Sequence, residues 1–128
     1  MKYFMNGYTL AVIAVCIGSI GQIILKIGTN NYPGSISSDF YSSFSSFLKI
    51  VFFPQIFIGL SCYAVSALLW IIVLSNLEVS KAYPILGLSY IFVLLLSFFL
   101  LGESLTLTKI LGSFLILFGV MLISLKVS

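Results

Sequence analysis

The sequence predicts an all-α integral membrane protein, a single four-helix transmembrane bundle over residues 1–128. Three observations carry that expectation. Hydrophobic residues make up 61% of the chain and charged residues 7%, against roughly 25% charged in an ordinary soluble domain. The charges stand singly, at Lys2, Lys26, Asp39, Lys49, Glu78, Lys81, Glu103, Lys109 and Lys126, and leave four charge-free stretches at 3–25, 50–77, 82–102 and 110–125. Runs such as YIFVLLLSFFLL (90–101) do not alternate polar with apolar residues, as the strands of a membrane barrel must.

A helix needs about 20 apolar residues to cross the hydrocarbon core, with about 17 sufficing. The first span is expected at 8–27. Its apolar run exceeds a signal-peptide core and no A-x-A site follows, so it reads as a retained helix. Valine precedes Cys16 where lipoprotein cleavage wants glycine or alanine, so no lipid anchor is expected there. Next comes a turn-rich connection, GTNNYPGSISSD (28–39), packed with glycine, asparagine, proline and serine. Phe40, Phe44, Phe47 and Val51 then recur at helical spacing with serines between them. That pattern fits a short amphipathic helix in the membrane interface within the 29–54 connection, or a helical extension of the second span.

The second, third and fourth spans are expected at 55–75, 82–101 and 108–125. Their links, NLEVSK (76–81) and LGESLTLTK (101–109), are short, which makes these helices antiparallel neighbours. Four spans would put Lys2, Lys81 and Lys126 on one side of the membrane and Lys26, Lys49 and Lys109 on the other. Three lysines face three, and the positive-inside rule assigns no orientation.

Composition excludes several kinds of function. The lysines are dispersed, with no basic patch for nucleic acid. Histidine is absent, and Cys16 and Cys62 both fall inside spans, which is neither a disulfide framework nor a metal-ligand cluster. No metal, cofactor or covalent catalysis is expected, and so no enzyme.

The polar residues inside the spans are the candidates for function. Gln22 and Lys26 lie one helical turn apart on one face, with Gly18 a turn further in and Ser19 beside it. A lysine near a helix end can snorkel to the headgroups, and a glutamine can bond between helices. A polar path through the membrane is the other use for such a pair. At the third span Lys81 stands at the mouth, followed by Tyr83 and by Pro84, which is expected in the first helical turn, where its missing N–H has no partner. Tyr83 suits an interfacial anchor, whereas Ser89 and Tyr90 lie deeper. Glu103 reads either as a solvated charge before the fourth helix or as an accessory charge of the path. In the fourth span Gly112 and Gly119, with Ser113 adjacent, form a small-residue stripe, usable against a second protomer or within the bundle.

These features together resemble the small four-helix members of the drug/metabolite transporter superfamily, with an EamA-like, small multidrug resistance-like fold. The signs are AYP (82–84) opening the third span, LLGESLT (100–106) after it, and two glycines seven apart before Val120 in the fourth. Small multidrug resistance exporters carry a first-helix glutamate that binds protons and cations in turn; that position falls on Gly18 here, and no acid lies in any span. The tryptophan usual after their third-helix tyrosine falls on Leu86. SIGQIILK (19–26) and AYPILGL (82–88) are instead similar to the small subunits of the aminoarabinose-phosphoundecaprenol flippase and related lipid-sugar translocators. The connection 29–54 lies outside this resemblance.

The resemblance implies translocation of a polyprenyl-phosphate-linked sugar or a similar anionic lipid, by a homodimer or a heterodimer with a similar small subunit in a bacterial inner membrane. Such cargo needs cations near the interface and hydrogen-bonding groups along a groove open to lipid. Lys26 and Lys81 would supply charge; Ser19, Gln22, Tyr83, Ser89 and Tyr90 would supply hydrogen bonds. Gly112, Ser113 and Gly119 would join the protomers. The rival readings are an exporter of small metabolites or drugs and a non-transporting subunit that supports a glycosyltransferase.

Overall fold

In the computed structural model, residues 6–125 are described. Lys2 and Lys126 of the lysine comparison, like the end of the chain after Leu125, lie outside them. Six helices follow in order: α1 Gly7–Asn31, α2 Ile36–Ser42, α3 Phe44–Val51, α4 Pro54–Asn76, α5 Val79–Leu101 and α6 Leu107–Ser124. Three of them, α1, α4 and α5, are long and apolar enough to cross a membrane, and α6 is a shorter apolar helix. Its 18 residues would reach about 27 Å, near the ~30 Å of a hydrocarbon core.

The tightest seam joins α1 to α4, and glycine makes it. A Cβ on Gly21 would stand 3.1 Å from the Gly59 carbonyl oxygen, and one on Gly59 would stand 3.0 Å from that of Gly21 and 2.9 Å from the Leu25 nitrogen. The two backbones therefore touch where a side chain would force them apart. In lipid, where apolar surface gains nothing by hiding, such close packing is a principal source of helix association. Across the same seam Ser66 donates a 2.7 Å hydrogen bond to the Ala14 carbonyl. Nearer the N-terminal end of α1, the buried Ala11, Val73 and Ala82 bring α1, α4 and α5 together.

The rest of the bundle is looser. α5 packs chiefly on α1, and α6 packs on α5 alone among the helix pairs with substantial contact. Between α5 and α6 the chain turns at Gly102, whose φ of 65° is the left-handed conformation that closes a helix at little cost for glycine. Thr106 then caps α6 by accepting from the Lys109 backbone N–H at 3.3 Å.

Two details differ from the sequence reading. α5 begins at Val79 rather than near 82, so Pro84 sits inside the helix instead of in its first turn. It lacks the N–H that would bond the Ser80 carbonyl, a break in the backbone ladder near the helix mouth. The 29–54 connection holds two short helices. They part at Ser43, whose extended backbone (φ −164°, ψ 158°) stops α2 and whose hydroxyl caps α3. Phe40 and Phe44 each pack a ring against Phe47, and Phe52 and Phe53 separate α3 from α4.

The connection is tied to the bundle at its base. Asn31 donates to the Gln55 side chain at 2.9 Å, and Tyr32 meets Phe53 edge-on at 5.5 Å. The Tyr32 hydroxyl donates to Asp39 at 3.3 Å. Partial burial, and then the Asp39 carboxylate beside it, hold this phenol above its ordinary pKa.

Candidate functional site: a row of grooves along the bundle

Among the described residues, three cavities with polar groups in their walls follow one another along the bundle. The central one, about 390 Å³, is walled by α1 (Gly18, Ser19, Gln22), α4 (Tyr63, Ser66, Trp70) and α5 (Leu86, Ser89). Gln22 is exposed to it, and its amide makes no hydrogen bond to any described residue. An amide in a membrane helix without an internal partner is costly unless something else supplies one. Ser19 is 1% exposed and already donates to the Val15 carbonyl, and Ser89 donates to the Leu86 carbonyl. Each hydroxyl therefore offers the cavity an acceptor rather than a free donor. The Tyr63 hydroxyl is unbonded among the described residues and stands at the cavity wall.

A second cavity, about 360 Å³, lies at the end of the bundle where α1 finishes. Lys26, Tyr90, Ser97, Glu103 and Lys109 line it, with Ile23, Val93, Leu94 and Leu101 as the apolar wall. The Lys26 ammonium has no hydrogen-bond or ion-pair partner among the described residues. Lys109 donates to the Ser104 carbonyl at 2.9 Å. At the opposite end a cavity of about 630 Å³ opens between α5 and α6, lined by Tyr8, Glu78, Ser80, Lys81 and Pro84 among others. There Lys81 is paired at 3.0 Å with Glu78, the residue that precedes its helix.

The residues singled out from the sequence thus divide three ways. Ser19, Gln22 and Ser89 share the central cavity; Lys26, Tyr90 and Glu103 share the cavity at the α1 end. Lys81 is at the other end, and its charge is already met by Glu78. Tyr83 lines none of the three; its ring packs edge-on at 6.4 Å against Trp70, a wall residue of the central cavity. Gly112 and Gly119 look onto open space, since a Cβ on either would meet nothing within 4 Å. Ser113 is buried and bonds to the Lys109 carbonyl, so the open stripe on α6 consists of the two glycines.

The sequence reading missed the α4 wall and Lys109. Tyr63, Ser66 and Trp70 stand at i, i+3 and i+7, one face of a helix, and Trp70 is the chain's one tryptophan. That periodic polar-aromatic stripe was the available signal. Lys109 gave less, since a lysine just after a helix start is common at any membrane edge.

Polar cavities along the flank of a small helical membrane bundle are the arrangement of a transporter-like protein. A Cβ on Gly18 would lie 2.8 Å from the Ser66 hydroxyl oxygen, so a larger residue there would require the Ser66 side chain to shift.

Comparison with known proteins gives the class its family. The EamA-like transporter family matches residues 4–125, a span that includes the 29–54 connection. The chain belongs to that family, and is a multi-pass protein of a bacterial membrane. It is 38% identical over 124 residues to a protein of Yersinia enterocolitica, covering 95% of this chain and 96% of the relative. It is 37% identical over 126 residues to one of Photorhabdus laumondii, covering 94% and 98%, and 32% identical over 124 residues to one of Proteus mirabilis, covering 94% and 93%. Each of the three is named a probable 4-amino-4-deoxy-L-arabinose-phosphoundecaprenol flippase subunit ArnF. No solved structure matches the chain.

Proposed function

We propose that this protein is one subunit of a translocator that moves a polyprenyl-phosphate-linked sugar, of the aminoarabinose kind named for its relatives, from one leaflet to the other. The carrying observation is the pair on α1: an unbonded Gln22 amide and an unpaired Lys26 ammonium, one turn apart, facing adjacent cavities. The phosphodiester is an anion, and a charge-assisted hydrogen bond from an ammonium is worth about 1.5–3 kcal/mol. The sugar hydroxyls need donors and acceptors, which Gln22, Tyr63, Ser19, Ser89 and Tyr90 offer along the row. The polyprenyl tail stays in lipid while the headgroup passes along the bundle flank. Proton-coupled cation export would need a buried acid, and none lies in any of the spans.

The subunit names of the relatives fit a pair of small chains, homodimeric or heterodimeric. α6 is the natural joint, because Gly112 and Gly119 leave room for a second helix and α5 is its sole substantial neighbour among the described residues. Lys81 and Tyr83 take lesser parts in this reading, at the far mouth and in the support of Trp70.

Reconstitution of the assembled protein in vesicles with a labelled polyprenyl-phosphate aminosugar tests the proposal. Translocation in the wild type, lost in Gln22→Leu with Lys26→Leu while the complex still assembles, is the expected result. Assembly lost together with transport would favour a purely structural subunit. Export of small organic cations by the same vesicles would overturn the proposal.

A further inference from the structure

Three charged side chains line the cavity at the α1 end, and the described residues leave all three without an ion pair. Lys26 comes from α1, Glu103 from the link after α5 and Lys109 from the first turn of α6. The other charged mouth of the bundle is different, because Glu78 and Lys81 satisfy each other there. Opposite charges that share a cavity without meeting are arranged for a ligand that carries both signs. Two ammonium groups and one carboxylate suit an anionic group held close to a cationic one.

Resting on the translocator reading above, we infer that this cavity is a seat for a zwitterionic headgroup: Lys26 and Lys109 bind the phosphodiester, and Glu103 binds a protonated amine on the attached sugar. The volume, about 360 Å³, falls in the range of small-molecule sites, roughly 300–1,000 Å³. Its apolar wall, Ile23 of α1 with Val93, Leu94 and Leu101 of α5, suits the start of a polyprenyl chain. Tyr90, half-exposed in the same cavity, has a phenol free to bond a sugar hydroxyl. Glu103 is thereby a specificity residue, which separates an amino sugar from a neutral one on the same lipid. Lys109 is a second phosphate ligand, whose bond to the Ser104 carbonyl uses one of its three donors.

The experiment compares two lipids on the full chain, in the assembly in which it purifies from membranes: a polyprenyl-phosphate 4-amino-4-deoxyarabinose and its N-acetyl derivative, which keeps the phosphate and loses the positive charge. Wild type is expected to favour the free amine by about tenfold, the size of one charge-assisted hydrogen bond. Glu103→Gln removes that preference by weakening the amine lipid alone, and Lys109→Gln weakens both lipids alike with the melting temperature unchanged. Equal affinity of wild type for the two lipids overturns the inference and leaves the translocator reading standing, as does an equal loss for both in Glu103→Gln. Failure of wild type to bind either lipid overturns the translocator reading itself. Phosphatidylethanolamine carries the same phosphate and amine, so it serves as the competitor. If it fails to displace the sugar lipid at equal concentration, the seat belongs to cargo; if it displaces it fully, the seat is for bilayer lipid and the inference is overturned.

Discussion

The α1–α4 seam and the surroundings of α6 are built from the same apolar residues and serve opposite ends. Across the seam the backbones approach so closely that a single methyl at Gly59 would collide with main chain. Around α6, glycines face empty space, and Phe114, Leu115 and Phe118 are more than 60% exposed. Glycine therefore marks a finished contact in one place and an open face in the other. One pair of helices forms a rigid post, and the opposite flank leaves room for a groove and for a partner.

The largest effect should follow from wedging the post. Gly59→Leu inserts a side chain against the Leu25 side chain at 2.7 Å and the α1 backbone at 2.9 Å and 3.0 Å, and overpacking of this kind costs about 1–3 kcal/mol. Thermal unfolding in detergent should show a lower melting temperature, whereas Gly119→Leu on the open face should leave it unmoved. A similar drop from both would erase the distinction between the two regions.

Next in size is Lys26→Gln. It removes a cation that holds no other described residue in place, so the fold stays and binding of a polyprenyl-phosphate lipid weakens about tenfold or more, for the loss of about 1.5–3 kcal/mol. Binding titrations with purified protein check this; unchanged affinity would detach the α1 end from the groove's function.

Gly119→Leu is expected to matter for assembly instead. Crosslinking or native mass spectrometry should show fewer paired chains, with the melting temperature of the single chain retained. A fully paired variant would move the joint away from α6.

The smallest effect belongs to Lys81→Gln. Its pairing with Glu78 is exposed on both sides, and such pairs contribute about 0–1 kcal/mol. Stability should change by less than about 1 kcal/mol, and lipid binding far less than in Lys26→Gln. A loss as large as that of Lys26→Gln would make the two ends equivalent.

Much of this molecule was legible before any coordinates. Charge-free stretches are long because lipid tolerates few charges, so the spans announced themselves. Gln22 and Lys26 stood out for the same reason. Pro84 was misplaced because a helix mouth is set by where Glu78 and Val79 settle, and local sequence between two spans barely constrains that. The α4 wall was overlooked because tyrosine, serine and tryptophan at membrane depth look like ordinary interfacial or packing residues until a cavity appears beside them. Lys81 and Lys26 read alike as isolated lysines; what separates them is a glutamate three residues from one and none near the other in sequence.

The sequence by itself determined that the chain lives in a bilayer as helices, and that the membrane interior holds no acid. Those outcomes follow from transfer free energies and backbone satisfaction, which act on each segment independently of its neighbours. The tertiary structure alone decided which polar groups are spent and which are free. Ser66 stands beside Gly18 and bonds the Ala14 carbonyl, and Lys26, Glu103 and Lys109 come from three separate elements to one cavity. Partnering is a property of distance between segments far apart in the chain, and close helix packing sets that distance.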